Sequence, residues 1–547
     1  MSNSVKAFTR RDFVAALAAA GLATPALASG VPGRPADGRP AFLHGVASGD
    51  PLQDRVILWT RVTPARLEGS VAVKWRIAID RELKRPVAAG ATVTDIRRDF
   101  TVKVDATGLD PGRTYYYAFW TQGVRSPLGR TRTLPVGAAG ALRFAFVSCS
   151  NFPFGYFNAY RRIAERHDLD FVLHLGDYIY EYPLGGYANP ALVGLRDVVP
   201  ANEIVSLTDY RLRHALYRTD ADLQELHRQH PMICVWDDHE SANDAWRDGA
   251  ENHNPEAGEG EWSVRRTAAA RAYDEYMPIR TSPAGPQRIY RSFAVGSLAD
   301  LIMLDTRLVG RDQQAAFKGG VPSLPMDDPT IQDPRRTLLG FEQEAWLNTE
   351  LSRSKARGAT WRFLGQQVMM AQLSEPGQFG ANTLNPDQWD GYDPARRRLF
   401  AHLASRGIDN NVVLTGDIHS SWCNDLTTNP WDPAYFAARQ GILGVEFVAP
   451  AITSPGPPVP PGLPPEVLAG LLVQASPHMK YVDLRQRGYA LIDADHERVQ
   501  GEIWHVDRVD MPSPVESFAK GFVNLAGANG LQPATGPTRA RAAPEPA

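Results

Sequence analysis

The sequence predicts a layered α/β domain, with sheets flanked by helices, preceded by a small all-β sandwich. Three observations carry that prediction. Between Phe42 and Leu134 the chain reads as short strands separated by turn signals. From Leu142 onward apolar strands alternate with helical runs, and five of those strands each end in a polar cluster. At 547 residues the chain is also too long for one small core, so two domains are expected.

Taken in order, residues 1–28 read as an export signal. Arg10 and Arg11, followed by Asp12 and Phe13, open an alanine-rich run from Val14 to Leu27 that ends in Ala26-Leu27-Ala28. The paired arginines point to the twin-arginine export machinery and hence to a periplasmic or secreted protein. The run is too short to span a bilayer, and no other stretch reaches the roughly 20 apolar residues required, so no stable membrane anchor is expected. Residues 29–40 are a Gly/Pro linker.

Residues 41–135 form the expected N-terminal β-sandwich domain, with strands near 55–62, 71–77, 100–104 and 113–120 and a turn at Leu109-Asp110-Pro111-Gly112. Their spacing suggests a fibronectin or immunoglobulin type of sandwich. Residues 141–510 form the α/β domain, with apolar strands near 142–147, 171–175, 232–236, 301–304 and 411–415, and helices near 156–167 and 342–356. Residues 511–547 are a C-terminal segment whose Ala/Pro/Arg-rich end, from about Leu531, reads as disordered.

Composition narrows the function. Hydrophobic residues make up 43 % and charged residues 22 %, with a net charge of −3. No basic excess points to nucleic acid, so no nucleic-acid-binding domain is expected. The three cysteines, Cys149, Cys234 and Cys423, are not a disulfide framework, and a metal-bound thiolate would account for an odd count in an exported chain.

The polar clusters at the strand ends are Ser148-Cys149-Ser150-Asn151, Gly176-Asp177 with Tyr180, Asp237-Asp238-His239-Glu240, Asp305 with Arg307, and Gly416-Asp417 with His419. Ligand sites in open α/β sheets lie beyond the carboxyl ends of the strands. One Gly-Asp after a strand is ordinarily only a turn; the same placement five times over argues for a site. Carboxylates suit hard cations, and histidine or thiolate extends the choice to transition metals. A phenolate such as that of Tyr180 binds ferric iron well. Two ions about 3.5–4 Å apart can clamp the attacking and leaving oxygens of a phosphoryl transfer. Arg307 offers a two-pronged grip on phosphate, or else a salt bridge to a neighbouring carboxylate. Asn151 and Asn243 could orient phosphate, complete a calcium shell or cap a turn. His174 and Cys234, inside apolar strands, read as core.

These motifs, with His44-Gly45-Val46-Ala47-Ser48-Gly49-Asp50 and Leu58-Trp59-Thr60-Arg61 in the first domain, resemble the calcineurin-like metallophosphoesterases. Within them they closely resemble the alkaline phosphatase D family of bacterial phosphatase/phosphodiesterases. The resemblance covers nearly the whole chain after the signal. It implies a hydrolase of phosphate mono- and diesters that acts on small phosphate-ester substrates through a metal-activated water. It implies Cys149, Asp177, Tyr180, Asp238, Asp417 and His419 as metal ligands, and Fe3+ with Ca2+ rather than zinc. His239, matching the superfamily's Asn-His pair, is then a phosphate-facing group beside Arg307 and Asn151. Relatives also suggest a helix near Met511 to Leu525 that partly covers the site. The chain is expected to act as a monomer. Alternatives from other classes are a non-catalytic surface-binding protein with a degenerate site and a hydrolase of another ester bond. A phosphoseryl intermediate on Ser148, Ser150 or Ser420 is the mechanistic rival, though none sits in a nucleophile-activating pattern.

Overall fold

The computed structural model describes residues 41–64, 69–315 and 323–547; the expected signal and linker lie outside them. In the N-terminal region β1 (Val46–Gly49), β2 (Arg55–Arg61), β3 (Ser70–Ala78), β4 (Pro86–Asp95), β5 (Thr101–Thr107), β6 (Thr114–Thr121), β7 (Val124–Arg125) and β8 (Gly129–Arg132) follow one another. Period-two alternation puts Val73 and Ile77 of β3 and Tyr115, Tyr117 and Phe119 of β6 on one face, against Val56 and Leu58 of β2. One layer has the order β4-β3-β6-β7, with β8 on β6.

The larger region continues with β9 (Leu142–Val147), β10 (Phe171–His174), β11 (Pro231–Cys234), β12 (Arg291–Val295), β13 (Ala299–Met303) and β14 (Leu324–Pro325). Next come β15 (Trp361–Gly365), β16 (Asn382–Thr383), β17 (Asn411–Thr415), β18 (Ser421–Thr427) and β19 (Ile442–Val448). The chain closes with β20 (Met479–Asp483), β21 (Arg487–Ala494), β22 (Arg498–Val506), β23 (Glu516–Leu525) and β24 (Gln532–Pro533). Two sheets result. The first has the order β24-β23-β22-β21-β9-β10-β11-β1-β2-β5 and the second β12-β13-β15-β17-β19-β18-β20. Strands β9, β10, β11 and β1 are mutually parallel, as are β13, β15, β17 and β19. Their residues are buried on both faces, which is why they read as unbroken apolar runs.

The two sheets pack face to face. Phe144 of β9 stacks on Phe171 at 4.9 Å and meets Phe363 of β15 edge-on at 5.4 Å, joining the layers. Helices Phe341–Ala356 and Asp393–Arg406 cover the outside of the second sheet, where Leu347, Leu351, Leu399 and Leu403 meet Leu364 and Val413.

Three expectations are corrected. The N-terminal sandwich is not a separate unit, because β1 pairs in parallel with β11 (Ser48↔Pro231) and makes β1, β2 and β5 part of the first large sheet. The helix expected near residues 511–525 is instead the strand β23, paired with β22 from Arg498↔Leu525 to Val506↔Glu516. Pro512 and Pro514 oppose a helix there, and Phe522 and Asn524 alternate inward as a strand requires. The tail beyond it is also packed: Arg143 donates to the Arg539 carbonyl at 2.8 Å, Arg541 pairs with Asp493 at 2.9 Å, and Arg228 donates to the Ala547 carbonyl at 2.8 Å. Among the described residues no helix is long and apolar enough to cross a membrane.

Truncating Phe144 to Ala removes the ring that touches both sheets and should cost about 3–5 kcal/mol in denaturant unfolding. A loss below about 1 kcal/mol would contradict the packing described.

Candidate metal centre

The carboxyl ends of the parallel strands of both sheets reach one edge of the sandwich. There β9 leads to Cys149 and Asn151, β10 to Asp177 and Tyr180, β11 to Asp237, Asp238 and His239, β13 to Asp305 and Arg307, and β17 to Asp417 and His419. Close approach makes the glycines obligatory. A Cβ on Gly176 (φ +110°) would lie 2.4 Å from the Asp237 backbone nitrogen, and one on Gly416 would lie 2.6 Å from Ser148. Cys149, Asp177, Asp417 and His419 all adopt left-handed φ values, 62°, 55°, 59° and 55°. Such conformations cost of order 1–3 kcal/mol each and cluster at functional sites. Here loop hydrogen bonds hold them: Cys149 N–H donates to the Gly176 carbonyl at 3.1 Å, and the N–H groups of Thr453 and Ser454 both donate to the Cys149 carbonyl at 3.3 Å. Glu240 fixes the neighbouring turn, accepting from the N–H groups of Asp177 at 3.0 Å, Tyr178 at 2.6 Å and Asp237 at 2.8 Å.

Three groups of side chains have ligand atoms within 4.8 Å of one another: Cys149, Asp177 and His419; Asp177, Asp238 and His239; Asp237, Asp238 and Asp417. Asp177 and Asp238 are each shared, so the groups form one continuous row. The Tyr180 hydroxyl donates to Asp177 Oδ2 at 2.9 Å, accepts from Ser454 Oγ at 2.6 Å and lies 3.2 Å from His419 Nε2, which places the phenol in the first group. All six expected ligands therefore converge, joined by Asp237.

The donor set fits metal ions. Buried oxygens Asp177 Oδ1, Asp237 Oδ2 and Asp238 Oδ1 have no hydrogen-bond partner, and such atoms are costly unless a cation meets them. Burial, followed by the charge of Asp177, pushes the Cys149 thiol and the Tyr180 phenol well above their usual values. A bound cation reverses that preference and favours thiolate and phenolate. Burial drives Asp237 up, with Asp238 and Asp417 adding repulsion against the pull of Arg307. Asp417 is pushed up to about 6, first by burial and then by Asp387 and Asp238, against Arg307.

Arg307 does not take the place expected for a phosphate grip. It is fully buried, and its guanidinium donates to Asp237 at 2.5 Å, Asp387 at 3.0 Å and Asp417 at 2.6 Å. The alternative role, a salt bridge to neighbouring carboxylates, is the one observed. Asp387 escaped the sequence reading because it follows no apolar strand; it sits in the loop Asn385-Pro386-Asp387-Gln388, from which Gln388 also donates to Asp417 at 2.7 Å. Asp305 is a loop cap, accepting from the N–H groups of Arg307 and Leu308, both at 2.9 Å.

His239 Nδ1 contacts Glu181 Oε2 at 2.7 Å, and its ring stacks on Tyr180 at 4.2 Å. Burial alone would lower the His239 pKa, but Asp238 and Glu181 outweigh it and raise it well above the usual value. Asn151 is buried; its Nδ2 donates to the Tyr187 carbonyl at 3.2 Å, while its Oδ1 has no partner. Asn243 instead donates through its backbone N–H to Glu181 and through Nδ2 to Glu251, outside the ligand groups. His174 contacts the Tyr160 hydroxyl at 2.8 Å in the core as expected, although it is the last residue of β10 and not in mid-strand.

The family model described as PhoD-like phosphatase matches residues 144–503, and that of the PhoD-like phosphatase N-terminal domain matches residues 26–135. The chain is 37 % identical over 504 residues to alkaline phosphatase D of Bacillus subtilis (strain 168), covering 90 % of this chain and 82 % of that protein. A solved structure described as that of PhoD superposes with a TM-score of 0.80 at 35 % identity, covering 91 % of this chain and 93 % of the other. Fold, site and relatives together define a hydrolase of phosphoric esters. The chain belongs to the PhoD-like phosphatase family and is an alkaline phosphatase D-like phosphoesterase.

Replacing Arg307 by Met leaves buried carboxylates uncompensated, and the metal-free protein should lose about 3–5 kcal/mol in urea unfolding. Wild-type stability with only weakened substrate binding would return Arg307 to the role of a phosphate grip.

Proposed function

We propose that the chain is a metal-dependent phosphomonoesterase and phosphodiesterase of the calcineurin-like type, with a fibronectin-like N-terminal sandwich, and that it holds ferric iron beside calcium. The observation that carries this reading is the continuous row of ligand groups sharing Asp177 and Asp238. Cys149, Asp177, Tyr180 and His419 offer the thiolate, carboxylate, phenolate and imidazole that suit iron. Asp177, Asp237, Asp238 and Asp417 offer the oxygen ligands that suit calcium. When bound, such ions supply an activated water and neutralise developing phosphoryl charge.

The protein's own groups do the rest. Glu181 fixes the His239 ring by its contact at Nδ1, leaving Nε2 to donate to a phosphoryl oxygen. The unpartnered Oδ1 of Asn151 orients a water or completes an oxygen shell. The serines are engaged elsewhere: Ser150 Oγ donates to the Asp177 and Tyr178 carbonyls, Ser420 Oγ donates to the Ile418 carbonyl, and Ser148 Oγ, 3.1 Å from Cys149 Sγ, donates to the sulfur once it is a thiolate. Direct attack by water is therefore favoured over a phosphoserine. The twin-arginine motif supports export to the periplasm or beyond, and we take the working unit to be a monomer.

Asp177→Asn removes the carboxylate shared by two ligand groups and should abolish phosphoesterase activity; retained activity would refute the site. Digestion of enzyme quenched during turnover should yield no phosphopeptide, whereas a phosphoserine would overturn direct hydrolysis. Below about pH 6 a metal ion must displace the Asp417 proton, so the apparent metal affinity should weaken progressively as the pH falls below that value and owe nothing to this group above it. A wild-type affinity that weakens below about pH 6 no faster than that of Asp417→Asn would exclude Asp417 as a ligand.

A further inference from the structure

The guanidiniums around the centre are almost all spent on protein acceptors. Arg307 is held by three aspartates, Arg311 by Asp387 and the Tyr392 hydroxyl, and Arg213 by the carbonyls of Tyr180, Val199 and Pro200. Arg487 differs. Its Nη1 donates to the carbonyls of Arg485 at 2.5 Å and Gln486 at 3.2 Å, and among the described residues it has no carboxylate partner. Its Nε and Nη2 are left without a protein acceptor, and the side chain is only half-buried.

The backbone puts this cation beside the ligands. Arg487 opens β21, whose antiparallel pairing with β9 ends at Ala490↔Phe146, three residues short of both Arg487 and Cys149. Between them runs the segment from Ala451 to Ser454. The Ala451 carbonyl accepts from Gly488 N–H at 3.0 Å, Ala451 bridges to Ser148, and Thr453 and Ser454 donate to the Cys149 carbonyl. On the other flank Gly456 packs against the Leu484 carbonyl beside His419. Burial draws the Arg487 pKa down, while Tyr187, Asp483, Cys149 and Tyr180 favour its charge, so most of the acidic groups it feels belong to the site or its rim.

We propose that Arg487 is the phosphate-binding cation of this site, gripping the non-bridging oxygens of the ester at the mouth. The proposal rests on the phosphoesterase reading and supplies the role that buried Arg307 cannot fill. A guanidinium with a free N–H edge takes two phosphate oxygens at once. A dianionic monoester gains more from it than a monoanionic diester, so Arg487 also biases the enzyme toward monoesters.

The test uses full-length, metal-loaded Arg487→Ala and Arg487→Lys with p-nitrophenyl phosphate, bis(p-nitrophenyl) phosphate and inorganic phosphate as competitor. Loss of one charge-assisted pair should raise KM for the monoester and the inhibition constant for phosphate about tenfold or more. The diester should suffer less, Lys should recover part of the loss, and metal content and Tm should match wild type. Phosphate inhibition unchanged in a fully metal-loaded Ala variant would overturn the proposal. If the Ala variant loses metal or does not fold, Arg487→Gln is read by the same criterion: weakened phosphate inhibition supports the proposal and unchanged inhibition overturns it. Failure of the wider reading would look different, with Asp177→Asn retaining activity.

Discussion

Asp177, Asp237, Asp238, Asp387 and Asp417 are buried or nearly so at one edge of two packed sheets, and their mutual repulsion in a low-dielectric setting is the constraint around which the site is organised. One guanidinium, that of Arg307, meets three of them directly. Even with Arg311 on Asp387, two guanidiniums cannot neutralise five carboxylates, and Asp177, Asp237 and Asp238 each keep an oxygen without a hydrogen bond. The remaining demand is for positive charge from outside the chain. A bound cation would meet that demand, which is what supports reading the row as a metal centre and would explain how a thiol and a phenol with raised pKa values belong to it.

The fold meets this constraint by concentrating its irregularities where the strands end. Doubly buried strands deliver their last residues to one edge, and two to four residues further on the chain turns sharply through left-handed conformations at Cys149, Asp177, Asp417 and His419. Gly176 and Gly416 let the turns approach one another. Phe144, wedged between Phe171 and Phe363, keeps the two sheets at the spacing these turns require. The same sheet that carries Asp177 extends through β1 into the N-terminal sandwich, so that sandwich buttresses the strand β11 that bears Asp237 and Asp238.

The strands that build the site were legible in the sequence because parallel strands covered on both sides are continuous apolar runs; those at 142–147 and 411–415 end where expected. The polar clusters at the strand ends were legible for the related reason that polar residues soon after such a run collect at the sheet edge, whereas the choice of candidate ligands among them came from the family resemblance. What failed to show depended on distant partners. Arg307 offered either a phosphate grip or a salt bridge, and only the positions of Asp237, Asp387 and Asp417 decide between them. Asp387 lies in a loop with no strand before it. The C-terminal antiparallel strands β21 to β23 mix Trp, His, Glu and Lys with apolar residues, so their pattern is weak, and β23 becomes recognisable as a strand only against β22.

The central claim is that the row of ligands holds more than one ion, with iron among them. Mass-spectrometric metal analysis of the full chain, purified without chelator, tests it most directly. The account predicts more than one ion per chain, iron and calcium together, with iron lost on removal of Cys149 or Tyr180. A chain fully active with zinc as its only metal would contradict it.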